Sequence, residues 1–201
     1  MRSNVPFTWS LIILGGVGVL FSSILVLFII LDFSSQTSYT RTAASTILQV
    51  PRPGLPVRLI IPAIGVDAPL EDVGLTPDGA MAVPAGPVDA AWFELGPRPG
   101  EVGSAVIAGH EGWKNNIPAV FDNLHELQAG NKIYVEDATG TTTTFIVRSL
   151  QTYDQNENVP EVFYSRDGKV HLNLITCEGI WNAALKSYSS RIVVFADAGT
   201  E

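Results

Sequence analysis

The residues best suited to chemistry are a cysteine, a histidine and an arginine, each at a predicted strand boundary. Cys177 is the only cysteine of the chain and follows the apolar run 170–176. Alternation along this run predicts a strand on which Cys177 and His171 share a face. We expect the strand to end at Cys177, before Gly179, which places the thiol at the rim of a sheet. A rigid strand supports a nucleophile well, whereas a lone cysteine is otherwise read as a small buried hydrophobe.

Three histidines are candidates for the proton carrier that a thiol nucleophile needs. His110 follows the apolar run 104–109 at the point where this predicted strand gives way to a loop. His125 lies in a predicted helix and is expected at the surface. His171 is six residues from Cys177, which along a strand is roughly 20 Å. His110 is therefore the predicted base.

Arg191 opens the last predicted strand, 191–197, and supplies a fixed cation. Taken alone, it is better explained as a solvated edge arginine whose stem covers apolar surface. Together with Cys177 and His110 it completes the three roles of acyl transfer. These are a nucleophile, a general acid for the leaving amine and a positive charge for the oxyanion.

Short predicted strands recur along residues 57–198, a stretch the size of one domain. The predicted strands are 57–61, 81–83, 104–109, 132–136, 143–150, 169–177 and 191–197. One short helix is predicted at 119–127, where apolar residues fall on one side. Many strands and little helix predict a mainly β domain, either a closed barrel or a sandwich.

The first 56 residues differ in composition from the rest and predict a membrane attachment. Residues 11–31 are almost wholly apolar and, as a helix, are roughly 31 Å long, which matches a hydrocarbon core. We predict a retained signal anchor at 11–32, after a short cytoplasmic segment, 1–10. The alternative is a cleaved signal peptide with a small-residue site at 42–45. Residues 33–56 are rich in Ser, Thr and Pro and predict a flexible linker.

Composition excludes several partners and ligands. The net charge of -8 argues against a nucleic-acid partner, which needs clustered Lys and Arg. A single cysteine allows no intramolecular disulfide. No metal and no cofactor are predicted, because the Cys and His spacings of zinc sites are absent and the exposed carboxylates form no dense calcium loop.

Three motifs resemble those of sortases, the membrane-anchored cysteine transpeptidases of Gram-positive bacteria. Along the chain they are a histidine strand, a cysteine strand and an arginine at the start of the last strand. Leu174-Ile175-Thr176-Cys177 resembles the TLxTC signature, with Asn173 where the signature begins with Thr. Ile107-Ala108-Gly109-His110 resembles the histidine strand, and Arg191 matches the arginine of the last strand. The resemblance extends over residues 57–197. The segment after His110 favours a class E- or F-like member.

The resemblance implies an eight-stranded sortase-type β-barrel and a two-step reaction. Cys177 is expected to attack the Thr-Gly bond of an LPxTG-like sorting signal on a secreted protein and form a thioacyl enzyme. An amine acceptor, either a cell-wall precursor or a pilin lysine, then takes the acyl group. His110 is expected to move the protons, and Arg191 to hold substrate and share the oxyanion with the backbone N–H of Glu178.

The residues predicted to bind substrate are Thr176, Glu178 and Trp113. For Thr176, a packing or backbone hydrogen-bonding role is favoured over proton transfer, because strand alternation turns its side chain away from that of Cys177. Two other readings stay open. One is an L,D-transpeptidase of peptidoglycan, although Gly179 stands where that family has the arginine of Cys-x-Arg. The other is a catalytically silent, membrane-anchored binding module of the same fold.

Overall fold

A closed β-barrel forms the part of the chain that the structure describes. The computed structural model describes residues 52–182 and 187–199. The strands are β1 (Pro56–Ile61), β2 (Val66–Val73), β3 (Ala90–Phe93), β4 (Gly103–Gly109), β5 (Lys132–Asp137), β6 (Thr142–Asp154), β7 (Val170–Asn182) and β8 (Ser187–Ala198). They close in the order β1-β2-β3-β4-β7-β8-β6-β5. Because the sheet closes on itself, each strand has a hydrogen-bonded neighbour on both sides.

Two of the eight strand pairings are parallel, β2 with β3 and β4 with β7. The other six pairings are antiparallel. A parallel pair cannot be joined by a tight hairpin. The chain therefore leaves β4, builds β5 and β6 on the other side of the barrel, and returns to lay β7 beside β4.

Apolar residues cover both faces of β7. On the inner face Leu172 and Leu174 are fully buried in the main core. On the outer face Ile175 packs in a second cluster with Val162 and Val193. Val162 belongs to residues 155–169, which we call the β6–β7 segment. Burial on both faces explains why the polar residues His171 and Asn173 of this strand are buried as well.

The prediction of a mainly β domain built as an eight-stranded barrel is confirmed. β2 and β3 were not predicted: β2 carries Pro69 and three acidic residues that hide its alternation, and β3 has four residues. The predicted strand 81–83 is wrong, because only an isolated bridge joins Leu75 to Met81.

The helix predicted at 119–127 is also wrong, since only the 3-10 turn Leu124–Glu126 forms there. The Asp122 carboxylate accepts the N–H groups of Ala119 (3.0 Å) and Gly112 (2.7 Å). These hydrogen bonds hold the start of the segment in turns rather than a helix, while Phe121 and Leu124 still reach the core. The helical elements in the described residues are four short 3-10 turns.

The predicted segments 1–10 and 11–32, and most of the linker 33–56, lie outside the described residues. Within the described residues, no helix has the length and apolar character needed to cross a membrane. The last linker residues contact the barrel. The Gly54 N–H donates to Asp137 Oδ2 (2.8 Å), and Arg98 Nη1 donates to Pro53 O (2.7 Å).

A buried histidine fastens the end of the β6–β7 segment to the barrel. His171 is 7% exposed, with Nδ1 at 2.7 Å from Asp197 Oδ1 and Nε2 at 3.0 and 3.1 Å from the two oxygens of Asp167. Hydrogen bonds from His171 and then Ser165 hold the pKa of Asp167 well below its ordinary value. A carboxyl group with a lowered pKa stabilises the fold above its ordinary pKa of about 4, and this contribution is lost as the pH falls.

We therefore expect Asp167→Asn to flatten the acid limb of the stability profile. The melting temperature of the unmodified chain should fall more steeply between about pH 5 and pH 3 than that of Asp167→Asn. The exposed Asp72 is a matched control, and Asp72→Asn should keep the steep profile. The melting temperatures are measured by circular dichroism. Equal slopes of melting temperature against pH for the unmodified chain and Asp167→Asn would contradict the role assigned to Asp167.

Candidate active site

Cys177 and Arg191 are directly opposite each other on neighbouring strands. In the antiparallel pairing of β7 with β8, the Cα of Cys177 pairs with that of Arg191. Opposite residues of such a pair point to the same face, with Cβ atoms about 4.5–5.5 Å apart. On the far side of β8, Tyr153 of β6 pairs with Arg191 in turn. The barrel thus sets a phenol, a guanidinium and a thiol side by side in one row.

Neither residue lies at the strand end that the sequence predicted. β7 continues beyond Cys177 to Asn182, and β8 begins four residues before Arg191, at Ser187. The regular pairing nevertheless breaks just after the cysteine, between Glu178 and Trp181. Gly179 has φ +90°, and a Cβ there would lie 2.3 Å from Ser189 Oγ. Only glycine fits this irregularity, which separates the cysteine from the regular strand that follows.

Arg191 is fixed by backbone carbonyls rather than by a carboxylate. Its Nη1 donates to Ser190 O (3.0 Å) and to Tyr188 O (3.4 Å). The side chain is half-buried, and no salt bridge to it occurs among the described residues. The positive charge of Arg191 can therefore act on Cys177, which lies in the same row.

The parallel pairing of β4 with β7 brings His110 to the same level. Its register pairs Ala108 with Ile175, and two residues further on each strand stand His110 and Cys177. The hydroxyl of Thr176 donates to Gly109 O (2.9 Å) and so fastens the two strands just before both groups. The prediction that His110 directly follows a strand is confirmed, because β4 ends at Gly109.

Close packing leaves no freedom at the end of β4. A Cβ on Gly109 would lie 2.4 Å from Phe121 Cδ2 and 2.7 Å from Val120 Cγ1. The N–H of Phe121 also donates to His110 O (3.0 Å). Glycine is therefore required before the histidine, and the backbone of His110 is held on both sides.

The imidazole of His110 is held by a loop and by an aromatic ring. Nε2 lies 2.9 Å from the carbonyl oxygen of Pro84, which is in the loop between β2 and β3. The ring of Trp113 lies 4.7 Å away, centroid to centroid, at an angle of 59°. Among the described residues, no hydrogen bond joins His110 to Cys177.

An apolar groove of about 690 Å³ begins at Cys177. Its floor is the outer face of the barrel, with Ile175, Val193 and Phe93. One wall comes from the β2–β3 loop, residues 79–83, and the other from the β6–β7 segment, including Val162. Cys177, Thr176 and Arg191 lie at its edge. The volume and the mainly apolar lining of the groove are compatible with a bound peptide segment.

Burial raises the pKa of the Cys177 thiol above its ordinary value. The charge of Arg191 acts in the opposite direction, and that of Glu111 adds to the increase. Glu111 itself has a raised pKa, first because of burial and then because of the neighbouring charge of Glu178. The carboxylate of Glu111 therefore lies close enough to act on the thiol, and that of Glu178 lies close enough to act on Glu111.

The three predicted substrate-binding residues lie around the thiol in different ways. Thr176 is 2% exposed, and its hydroxyl makes the backbone hydrogen bond that strand alternation favoured. Glu178 is half-buried and accepts a hydrogen bond from Thr152 Oγ1 (3.1 Å). Trp113 contacts His110 and does not line the groove described above.

Two parts of the site gave no signal in the sequence. The carbonyl of Pro84 and the ring of Tyr153 reach the site through the barrel closure. Glu111 does have a signal, because it directly follows His110 in the sequence. No group of three or more His, Cys, Asp or Glu among the described residues could hold a metal ion.

A comparison with protein families identifies the fold and the coarse activity. Residues 59–198, more than half of the chain, match the family described as the Sortase domain. The chain belongs to the sortase family. Sortases are cysteine transpeptidases, which agrees with a thiol, an imidazole and a guanidinium on three adjacent strands. No curated protein sequence matched the chain.

Solved structures of sortases show the same fold at low identity. Sortase C-1 of Actinomyces oris is 21% identical over 72% of this chain and 74% of its own, with a TM-score of 0.55. A lid mutant of sortase A of Corynebacterium diphtheriae is 21% identical over 76% and 74%, with a TM-score of 0.56. The Clostridium perfringens sortase D5 transpeptidase is 23% identical over 73% and 79%, with a TM-score of 0.53.

The charges around Cys177 predict how this sortase reacts with an alkylating reagent. Arg191→Gln should raise the thiol pKa and slow iodoacetamide modification at pH 7 severalfold, because thiolate is the reactive form. Glu111→Gln should lower the thiol pKa and speed the reaction. As Cys177 is the only cysteine, the modification rate against pH reports this group alone. Unchanged profiles in both variants would refute the assigned electrostatics, and Asp72→Asn serves as the control.

Removing the hydroxyl of Thr176 should affect both stability and reactivity. Thr176→Val keeps the shape but loses the hydrogen bond to Gly109 O, at a cost of about 1 kcal/mol of unfolding free energy. It should also loosen the strand that carries His110, and so lower turnover beyond the loss expected from unfolding. Urea unfolding and single-turnover kinetics measure the two effects. Thr142→Val, at an exposed position of β6 away from the site, is the matched control.

Proposed function

We propose that this sortase cleaves an LPxTG-like sorting signal at its Thr-Gly bond and transfers the acyl group to an amine. The observation that carries the proposal is the pairing of Cys177 with Arg191 at the edge of an apolar groove. His110 stands at the same level on the next strand. A nucleophile, a cation and a proton carrier on rigid strands are what acyl transfer between peptides requires.

The first half-reaction begins with proton removal from the thiol. The pKa of Cys177 is raised, so the thiol is protonated at neutral pH, and His110 accepts its proton as sulfur attacks the Thr carbonyl carbon. The C–N bond then breaks, and His110 returns the proton to the leaving glycine amine. A thioester between Cys177 and the Thr acyl group remains.

Two groups are placed to stabilise the oxyanion of this step. Arg191 is opposite Cys177 with a charge that no carboxylate among the described residues neutralises. The backbone N–H of Glu178, next to the cysteine, is the proposed second donor, and the break in strand pairing after Glu178 frees the chain to present it.

In the second half-reaction a neutral amine attacks the thioester carbonyl carbon, and the C–S bond breaks to release Cys177. His110 takes the excess proton of the amine and returns it to the Cys177 sulfur, which restores the thiol. Glu111 adds negative charge near the thiol, and Glu178 adds negative charge near Glu111. This field favours the approach of a cationic amine, such as a cell-wall precursor or a pilin lysine. Water is the competing acceptor.

The proposed setting is the outer face of the cell membrane of a Gram-positive bacterium. The apolar stretch 11–32 would be the single anchor, with residues 1–10 in the cytoplasm and 33–56 as the linker. The catalytic domain would then face outward, where secreted proteins that carry the sorting signal pass. The support for this arrangement is the hydropathy of the sequence.

A silent binding module is the second candidate, favoured by one observation. His110 is bonded to Pro84 O instead of Cys177 in the described structure. A module that only bound sorting signals would keep the groove and lose the proton transfer.

The test is turnover of a quenched LPxTG peptide by the purified full-length chain, with and without triglycine. We expect cleavage, a ligated product when amine is present, and a thioacyl adduct on Cys177 by mass spectrometry. Cys177→Ala should abolish all three, and His110→Gln or Arg191→Gln should lower kcat/KM by about 10²-fold or more.

The control Asp72→Asn should behave as the unmodified chain does. If a library of sorting motifs gives no cleavage while the chain is folded and Cys177 still alkylates, the silent module is correct. Cleavage without ligation by any amine would reject the transfer step and leave a protease.

A further inference from the structure

A carboxylate reaches the ring of His110 through a single peptide group. The carbonyl of Pro84 accepts the hydrogen bond of His110 Nε2 (2.9 Å). The N–H of Ala85, which belongs to the same peptide group, donates to Glu71 Oε2 (3.1 Å). In a planar trans peptide the C=O and N–H point in opposite directions. Glu71 and His110 therefore bind the two ends of one rigid unit.

We propose that Glu71 is a positioning residue for His110 and acts through the Pro84–Ala85 peptide group. The proposal rests on the proposed function, in which His110 carries the protons. A carboxylate that accepts from the N–H polarises the peptide, so that its carbonyl becomes a stronger acceptor for the imidazole. Glu71 thus fills the place that an orienting carboxylate has beside the histidine of a catalytic triad.

The peptide group is held in place by other contacts of the β2–β3 loop. The N–H of Ala82 donates to Gly74 O (3.0 Å), and the N–H of Val120 donates to Pro87 O (2.7 Å). Both are backbone contacts on either side of the peptide. Pro84 is buried and its ring fixes φ. Through its hydrogen bond with the N–H of Ala85, the Glu71 side chain then holds the orientation of the Pro84–Ala85 peptide plane.

The consequence for chemistry is a fixed tautomer. A carbonyl oxygen only accepts, so Nε2 carries the proton in neutral His110. Nδ1 is then the nitrogen with a free lone pair. It accepts the Sγ–H proton of Cys177 to give thiolate and imidazolium. The same Nδ1–H proton passes to the leaving amine nitrogen when the C–N bond breaks, which restores the neutral ring with Nε2 still protonated.

The location of Glu71 makes the proposal testable without damage to the core. Glu71 is on β2, is partly exposed, and pairs with Ala91 of β3. Its neighbour Asp72 is exposed on the same strand and supplies a matched control. Glu71→Gln keeps an oxygen acceptor without the charge, whereas Glu71→Ala removes the acceptor.

The experiment combines nitrogen NMR of the imidazole with kinetics on the full-length chain. With ¹⁵N-histidine, and with His110→Gln to assign the signal, neutral His110 should show the Nε2–H tautomer before substrate is added. Glu71→Ala should shift the signal toward a mixture of tautomers. It should also lower kcat about three- to tenfold, because it weakens only part of the rate enhancement of about 10²-fold or more that general acid–base catalysis supplies. KM should stay within about twofold, and Glu71→Gln should restore part of the loss.

Several results would overturn the proposal. One is an Nδ1–H tautomer of His110 in the unmodified chain. Another is that Glu71→Ala has the same His110 tautomer and the same kcat as Asp72→Asn. A rise in kcat for Glu71→Ala would show instead that the loop restrains His110 in an inactive position. The NMR measurement needs no turnover, so it still decides the proposal if the unmodified chain cleaves no sorting signal, a result that counts against the proposed function alone.

Discussion

The site depends on β7 having a parallel neighbour on one side and an antiparallel neighbour on the other. The antiparallel pairing with β8 puts Arg191 opposite Cys177, and the parallel pairing with β4 brings His110 to the same level. A slip of one residue in either pairing would turn one of the proposed catalytic side chains to the opposite face of the sheet. The hydrogen bond from Thr176 to Gly109 O, together with the close packing on Gly109, fixes the parallel register where it matters.

Burial of both faces of β7 makes this register hard to change. Its inner face belongs to the barrel core, and its outer face is covered by the β6–β7 segment, which also walls the groove. Polar residues on the outer face are bonded rather than exposed. Asn173 Nδ2 donates to Val162 O (2.6 Å), and His171 bonds Asp167. The same contacts therefore hold the strand that carries the nucleophile and the wall that would face the substrate.

Sequence patterns predicted the strands that carry chemistry better than the elements between them. β4, β7 and β8 are apolar and buried, so their alternation and length are visible in the residues themselves. The sequence placed the end of β7 at Cys177 and the start of β8 at Arg191, whereas both strands extend further. Turn-forming residues such as Gly179 also occur at breaks in the pairing inside a strand. β2 was missed because Pro69 and three acidic residues hide its short apolar face, which is formed by Val66, Ala68 and Leu70. The parallel partner of β7 is set by the closure of the barrel, for which no local pattern exists.

The charge balance at Cys177 links the resting structure to the proposed reaction. Burial and Glu111 oppose ionisation of the thiol, and Arg191 favours it. A thiol that stays protonated is protected from oxidation and stray alkylation, but it needs a base at the moment of attack. His110 at rest is bonded to the β2–β3 loop, and that loop also supplies one wall of the groove. A peptide bound in the groove as proposed would contact the same loop that holds His110, so the proposed substrate binding and proton transfer would be coupled through one element.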